Sequence, residues 1–432
     1  MSRLGITAVL LLSPALLNAA EPTLLLRELT GVRRADFNTD ASRLLVQLRD
    51  GQLGLWNCEE GRPIAGDLGT LTAQGTYVID ADAERALVGF KGGGSRVFDL
   101  ATGLALSPVM DVSFEGDGFP SAGFSPDGAK IHVFEKTGVC RILEVETGKD
   151  IATLSLPAAS DERKIESGME FSEDGGTAFL LDAAGNLRRY DAGSWRESGP
   201  PLPHPDPEAS HIGFDVSPNS RHAVTFDSPG ENGPDGLLQL WDLVESRVLG
   251  DPIREVNGVS GQFIDRGDRL LLMPGRGATR VVKIPSLEND FVLPRHDDVE
   301  ASRATITADG SHLFSWGYDS TVRSLDARTG KQAGVFFCKA QVTDVLPSPG
   351  SVWLELDNTA FLLGGHHDHY IVRLDPKKML PLATLRVTRF LNRTILSPDA
   401  RRLMIHERST TKECIRLFDA TTLVELPGTD RQ

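Results

Sequence analysis

The densest run of metal-ligating side-chain types is His366-His367-Asp368-His369. Imidazole and carboxylate are ordinary ligands for zinc. Adjacent residues on an extended chain point to opposite faces, however, so one ion does not reach all three histidines. Zinc sites also space their ligands more widely. The run therefore reads as a polar hairpin turn, with a metal site at His366, His367 and His369 as the alternative, and no resident metal or cofactor is expected. Gly92-Gly93-Gly94-Ser95 precedes no helical pattern and lacks the helix N-terminus that would cradle phosphate. Arg266-Gly267-Asp268 reads as a charged turn. There is no Gly-x-Ser-x-Gly elbow of the serine hydrolases. The carboxylates Glu170, Asp174 and Asp182 are scattered, and no pair is set apart for acid–base work. The residues predict a protein that is not an enzyme.

Whatever positions these groups must be assembled from 432 residues, with 45 Lys+Arg against 60 Asp+Glu and a net charge of −15. One hydrophobic core stops growing near roughly 250–300 residues, so several domains or a repeat architecture is required. The acidic balance offers no basic stripe to neutralise phosphates, which excludes nucleic acid as the expected partner. Cys58, Cys140, Cys338 and Cys414 are too few for a disulfide scaffold and read as free buried thiols. Met1-Ser2-Arg3, the apolar run Leu4 to Leu17 and Asn18-Ala19-Ala20 read as a signal peptide cut near Ala20. That run is too short to span a bilayer, which takes about 20 residues. The expectation is a leader at 1–20 and a mature chain at 21–432, periplasmic or extracellular, with no transmembrane segment.

A repeat answers the length. A hydrophobe followed by a Ser-Pro-Asp-Gly-like turn recurs, as at Phe124-Ser125-Pro126-Asp127-Gly128, Phe171-Ser172-Glu173-Asp174-Gly175 and Ile306-Thr307-Ala308-Asp309-Gly310. Looser copies start at Phe37, Ile79, Val216, Phe263 and Leu396, and Glu355-Leu356-Asp357-Asn358 is taken as the copy in unit eight. The nine copies lie 41 to 49 residues apart, about one propeller blade each. A second landmark closes each unit, as in Phe98-Asp99, Tyr190-Asp191, Trp241-Asp242 and Phe418-Asp419. It falls 19 residues after the turn in seven units, and 25 and 22 after it in units five and nine, which places insertions there. Between the landmarks run short alternating strands such as Leu44 to Leu48, separated by Asp50-Gly51 or Gly185-Asn186 turns. The fold class is all-β, with four strands per unit.

This pattern resembles the WD40 β-propellers, in a divergent exported bacterial form, over residues 30 to 426. The resemblance rests on the Phe-Ser-Pro-Asp-Gly turn, the aromatic-Asp pair and a following Thr-Gly, as at Thr102-Gly103 and Thr329-Gly330. It implies a hydrogen-bonded tetrad of His, Ser/Thr, Asp and Trp. Unit five supplies His204, Thr225, Asp235 and Trp241; unit seven supplies His296, Ser315 and Asp319; and Asp368 takes the aspartate position in unit eight. One ring of eight or nine blades is expected, with a seven-blade ring plus an appended pair as the alternative, and Thr23 to Leu29 resembles an outer strand able to close the last unit. One face of the ring gathers the long loops, with His204, Asp206, Glu231, Asn232, His366, His367, His369 and Lys412 as candidate binding residues. The function expected is a non-enzymatic interaction scaffold for a protein or peptide partner. The alternative is a propeller enzyme or metal-dependent binder, with its site in the channel or the His366–His369 loop.

Overall fold

The structure, a computed structural model, describes residues 31–426 apart from 66–67, 72–76, 92, 113–121, 136–138, 157–167, 183, 207–208, 210–211, 228–234, 297–302, 318, 339–340, 358–368, 388–389 and 409–412. The expected leader at 1–20, Thr23 to Leu29, Glu231, Asn232, His366, His367, Asp368 and Lys412 therefore lie outside the described residues. The regular structure described is almost all strand, in nine antiparallel meanders each built from one contiguous stretch of chain. Seven have four full strands; blades two and nine complete the fourth position with bridges, Phe98 to Ala105 and Phe418 to Glu425. No helix among the described residues is long and apolar enough to cross a membrane.

The recurring turn forms because its side chains satisfy backbone N–H groups that the hairpin leaves over. In blade three the Ser125 hydroxyl accepts from Lys130 N at 3.0 Å and donates to Asp127 Oδ1, which also accepts from Ala129 N at 3.0 Å. Ser172 with Asp174, Thr307 with Asp309 and Ser397 with Asp399 repeat the arrangement. The hydroxyl and amide donors hold the Asp309 carboxyl down to about 2. The closing aspartate works in the same way at the outer hairpin. Asp99 Oδ1 accepts from both the amide and the hydroxyl of Thr102.

Four residues after that closing position the backbone is left-handed in every blade, which favours glycine, as at Gly103 with φ 73°; blade five has Ser246 there. Blades four, six, eight and nine place Trp195, Leu287, Met379 and Leu423 there instead, at φ 52–59°. All four side chains pack into inter-blade cores. Burying such a side chain contributes about 1.5–3 kcal/mol. That offsets the roughly 1–2 kcal/mol cost of the conformation.

Nine hydrophobic clusters lie one at each junction of neighbouring blades. Each second strand divides its side chains between two of them. Leu45 packs with Leu53, Tyr77 and Val88 toward blade two, whereas Leu44 and Val46 pack with Met404, Ile415 and Leu417 of blade nine. Blade nine is thus sealed directly against blade one, and the chain closes one ring of nine. Each blade's first strand is innermost, and these strands touch across blade boundaries. They line the channel on the ring axis.

Two readings of the repeat need correction. In blade eight Glu355-Leu356-Asp357 is not a turn but lies inside the second strand, Ser351–Asp357. The turn is Ser348-Pro349-Gly350-Ser351, where Leu346 pairs with Trp353 just as Phe124 pairs with Ile131. A two-residue Pro-Gly hairpin needs no capping aspartate, because Ser348 and Ser351 bond each other. The extra length of blade eight accordingly lies between Asp357 and His369, outside the described residues. In blade nine the added residues lengthen the strands Arg402–Arg408 and Glu413–Asp419 to seven residues each rather than swelling a loop.

Candidate functional site

Polar networks within the blades decide which candidate residues are free to bind anything. In blade five Trp241 Nε1–H donates to Thr225 Oγ1 at 3.1 Å. The Thr225 hydroxyl then donates to His204 Nδ1 at 3.0 Å, which puts the ring proton on Nε2. Nε2 lies 2.8 Å from Asp227 Oδ1, off the line of an ideal hydrogen bond, while Asp227 Oδ2 accepts from Leu237 N. The carboxylate of this group is therefore Asp227 and not Asp235, which is exposed. The reason is strand alternation. Residues 225 and 227 share one face of their strand, and the long hairpin carries Asp235 away.

Blade seven brings His296, Ser315 and Asp319 together and adds Thr321. His296 Nδ1 lies 3.0 Å from both Asp319 Oδ1 and Thr321 Oγ1, and Nε2 lies 2.9 Å from Ser315 Oγ. A carboxylate only accepts, so here the proton sits on Nδ1, the reverse of blade five. Burial raises the Asp319 carboxyl, but hydrogen bonds from His296 and Thr321 outweigh it and hold the group below its usual range. A Cβ at Gly317 would stand 2.5 Å from His296 Cβ, so the imidazole needs a glycine there.

Two of the proposed binding residues are removed by this geometry. His204 is buried in its network and presents nothing to a partner. His369 is no loop residue. It opens the third strand of blade eight, pairs with Asp357 across the ladder, and is 8% exposed. Asp206 is half-buried. Among the described residues no three His, Cys, Asp or Glu converge as metal ligands. Cys58 and Cys140 are buried and Cys338 half-buried, all three as free thiols, and burial pushes each up to about 12, far from the reactive thiolate range. A groove of about 310 Å³ between the turns of blades three and four is lined by Pro126, Asp174 and Trp195.

The channel holds chemistry that sequence reasoning passed over. Asp36, Glu170 and Asp215 sit at one register position on the inner strands of blades one, four and five. Asp36 is spoken for. Tyr77 OH donates to Asp36 Oδ2 at 2.6 Å, and Arg34 Nε donates to the same oxygen while its guanidinium lies 4.3 Å from the Tyr77 ring centroid. Glu170 opens on the channel, yet the surrounding walls withhold most of the water a free carboxylate would have, and Asp215 stands nearby. Together these raise its carboxyl to about 8. Burial likewise lifts Asp215 to about 6, opposed by the Phe263 N–H that it accepts. The signal was present in the repeat: each of the three acids immediately precedes the hydrophobe that opens its turn.

A raised folded-state value fixes the sign of the pH effect. Glu170 supports the fold fully below about 4.5, its ordinary value, and the support is lost as pH rises through about 8. Glu170→Gln should therefore melt close to the wild type at pH 4.5 and above it at pH 8.5. A melting-temperature difference that does not change with pH would contradict this assignment.

No family model matches the chain, and neither does any curated protein. Among solved structures it is similar to the C-terminal WD40 domain of Sif2, at 12% identity and a TM-score of 0.52. The match covers 91% of this chain and 97% of that one. Likeness at this identity establishes the fold, a WD40-type β-propeller.

Proposed function

We propose that this WD40-type propeller is an exported, non-enzymatic scaffold that docks a protein or peptide partner on the face where its second hairpins open. Propellers of this fold commonly serve as protein-interaction scaffolds. The observation that carries the reading is where the chain spends extra length. Between second and third strands most blades use three to five residues, but blade five uses 228–235 and blade eight 358–368. In both blades the described ends of the second and third strands open on one face, and variable loops on a fixed scaffold are where binding residues accumulate. Glu231, Asn232, His366 and His367 are the residues of these extensions assigned to contact. Export rests on the leader at 1–20, and the bacterial form on the resemblance alone.

The test is a comparative capture from the native envelope, wild type against Glu231→Ala/Asn232→Ala/His366→Ala. Loss of a specific partner from the variant is expected. Retention of every partner would sink the assignment of this face. Stoichiometric metal in the purified protein would favour the metal-dependent alternative instead.

A further inference from the structure

The inner strands carry a second repeated position, three residues ahead of the hydrophobe at each first turn. It is occupied by Gly168, Gly213 and Ser260 in blades four to six and Thr343 in blade eight, but by Arg34, Arg303 and Arg393 in blades one, seven and nine. The ladders confirm one rung: Arg34 pairs with Gln47, Arg303 with Trp316 and Arg393 with His406. Arg34 is engaged with Asp36 and the Tyr77 carbonyl. Arg303 and Arg393 are exposed, and neither has a hydrogen bond or ion pair among the described residues. The water an inner strand meets is that of the channel. In a chain of net charge −15, two unpaired guanidiniums on one arc of a channel stand out.

We propose that the channel mouth along the arc of blades seven to nine binds an extended acidic peptide segment, whose carboxylates are taken by Arg303 and Arg393. Neighbouring inner strands approach within 8 Å at their Cα atoms, so these arginines, two blades apart on a curved ring, are separated by roughly 15 Å at the backbone. One small anion does not bridge that span. An extended chain rising about 3.3 Å per residue covers it in about five residues. Guanidinium suits carboxylate because its planar fork donates two parallel hydrogen bonds. The arginine rung is also the end of the inner strands away from the first turns, toward the face where the second hairpins open. The inference thus deepens the scaffold reading and rests on it, by giving the chemistry of the segment that enters.

The experiment is a fluorescence-anisotropy titration of the intact protein with a dye-labelled octaglutamate peptide. Arg303→Gln/Arg393→Gln should bind it at least tenfold more weakly. Arg247→Gln, an exposed arginine on the outer strand of blade five, should bind as the wild type does. Inorganic phosphate, matched in ionic strength by chloride, should displace no more peptide than chloride does. Equal affinity in the double variant, equal loss in the outer-strand control, or selective displacement by phosphate would each overturn the proposal. Circular-dichroism melts check the folding of both variants, since neither arginine of the double variant has a hydrogen bond or ion pair among the described residues. The titration reads the channel alone, so its failure leaves the loop-variant capture to judge the docking face separately.

Discussion

His296→Ala should lower the stability of the ring by about 2–4 kcal/mol. One imidazole holds Ser315, Asp319 and Thr321 at 2.9–3.0 Å. Its loss strands the fully buried Ser315 hydroxyl, at about 1–3 kcal/mol for a buried group left unsatisfied, while Asp319 keeps its bonds from Thr321 and Arg323. A cavity the size of the ring adds to that. Two compensations work against it: water entering the void, and partial exposure of Asp319. Urea unfolding of the variant beside the wild type measures the difference. A loss below about 0.5 kcal/mol, the usual range of a surface change, would show that the network carries no weight.

The second large effect belongs to the junction of blades nine and one. Leu417 is completely buried there, with Ile415 and Met404 facing Leu44, Val46 and Trp56. Leu417→Ala should cost about 2–5 kcal/mol, as buried leucine truncations do. Its signature should be local. Among the described residues this junction is held by apolar packing and the Arg402–Cys58 contact, with no chain link across it, so weakening it frees one edge of the ring first. Hydrogen exchange should quicken in both Val32–Phe37 and Glu413–Asp419, strands at opposite ends of the chain, while blades four to six stay protected. Exchange rising evenly around the ring would contradict a junction that opens as a unit.

Most of the architecture was legible because the turns advertise themselves chemically. Ser125 and Asp127 are needed as side chains, to cap amides, so their types recur wherever the same hairpin recurs. Blade eight was misread for the same reason in reverse. Its Pro349-Gly350 hairpin caps nothing with aspartate, and Glu355 to Asn358 imitated the missing motif from within a strand. The Asp235 assignment failed because it counted residues along the chain. Asp227 reaches His204 by the two-residue alternation of a strand, a period that the spacing rule ignores. The channel residues were invisible for another reason. Glu170 and Arg393 are ordinary charged residues in short strands, and only the closing of nine such strands around an axis gives them neighbours.

That closing has a consequence for how the molecule is made. Eight of the nine junctions join units adjacent in sequence, and each meander is local, so these contacts form early and quickly. The ninth brings together residues such as Ala35 and Ile415, almost the whole described chain apart. In an unfolded chain that encounter would cost roughly 5 kcal/mol in loop-closure entropy. In a stack of eight formed junctions the ends already curve toward each other, and the cost has been met piecemeal along the arc. Folding therefore has a direction built into its geometry: growth along a curved stack, and the circle made last.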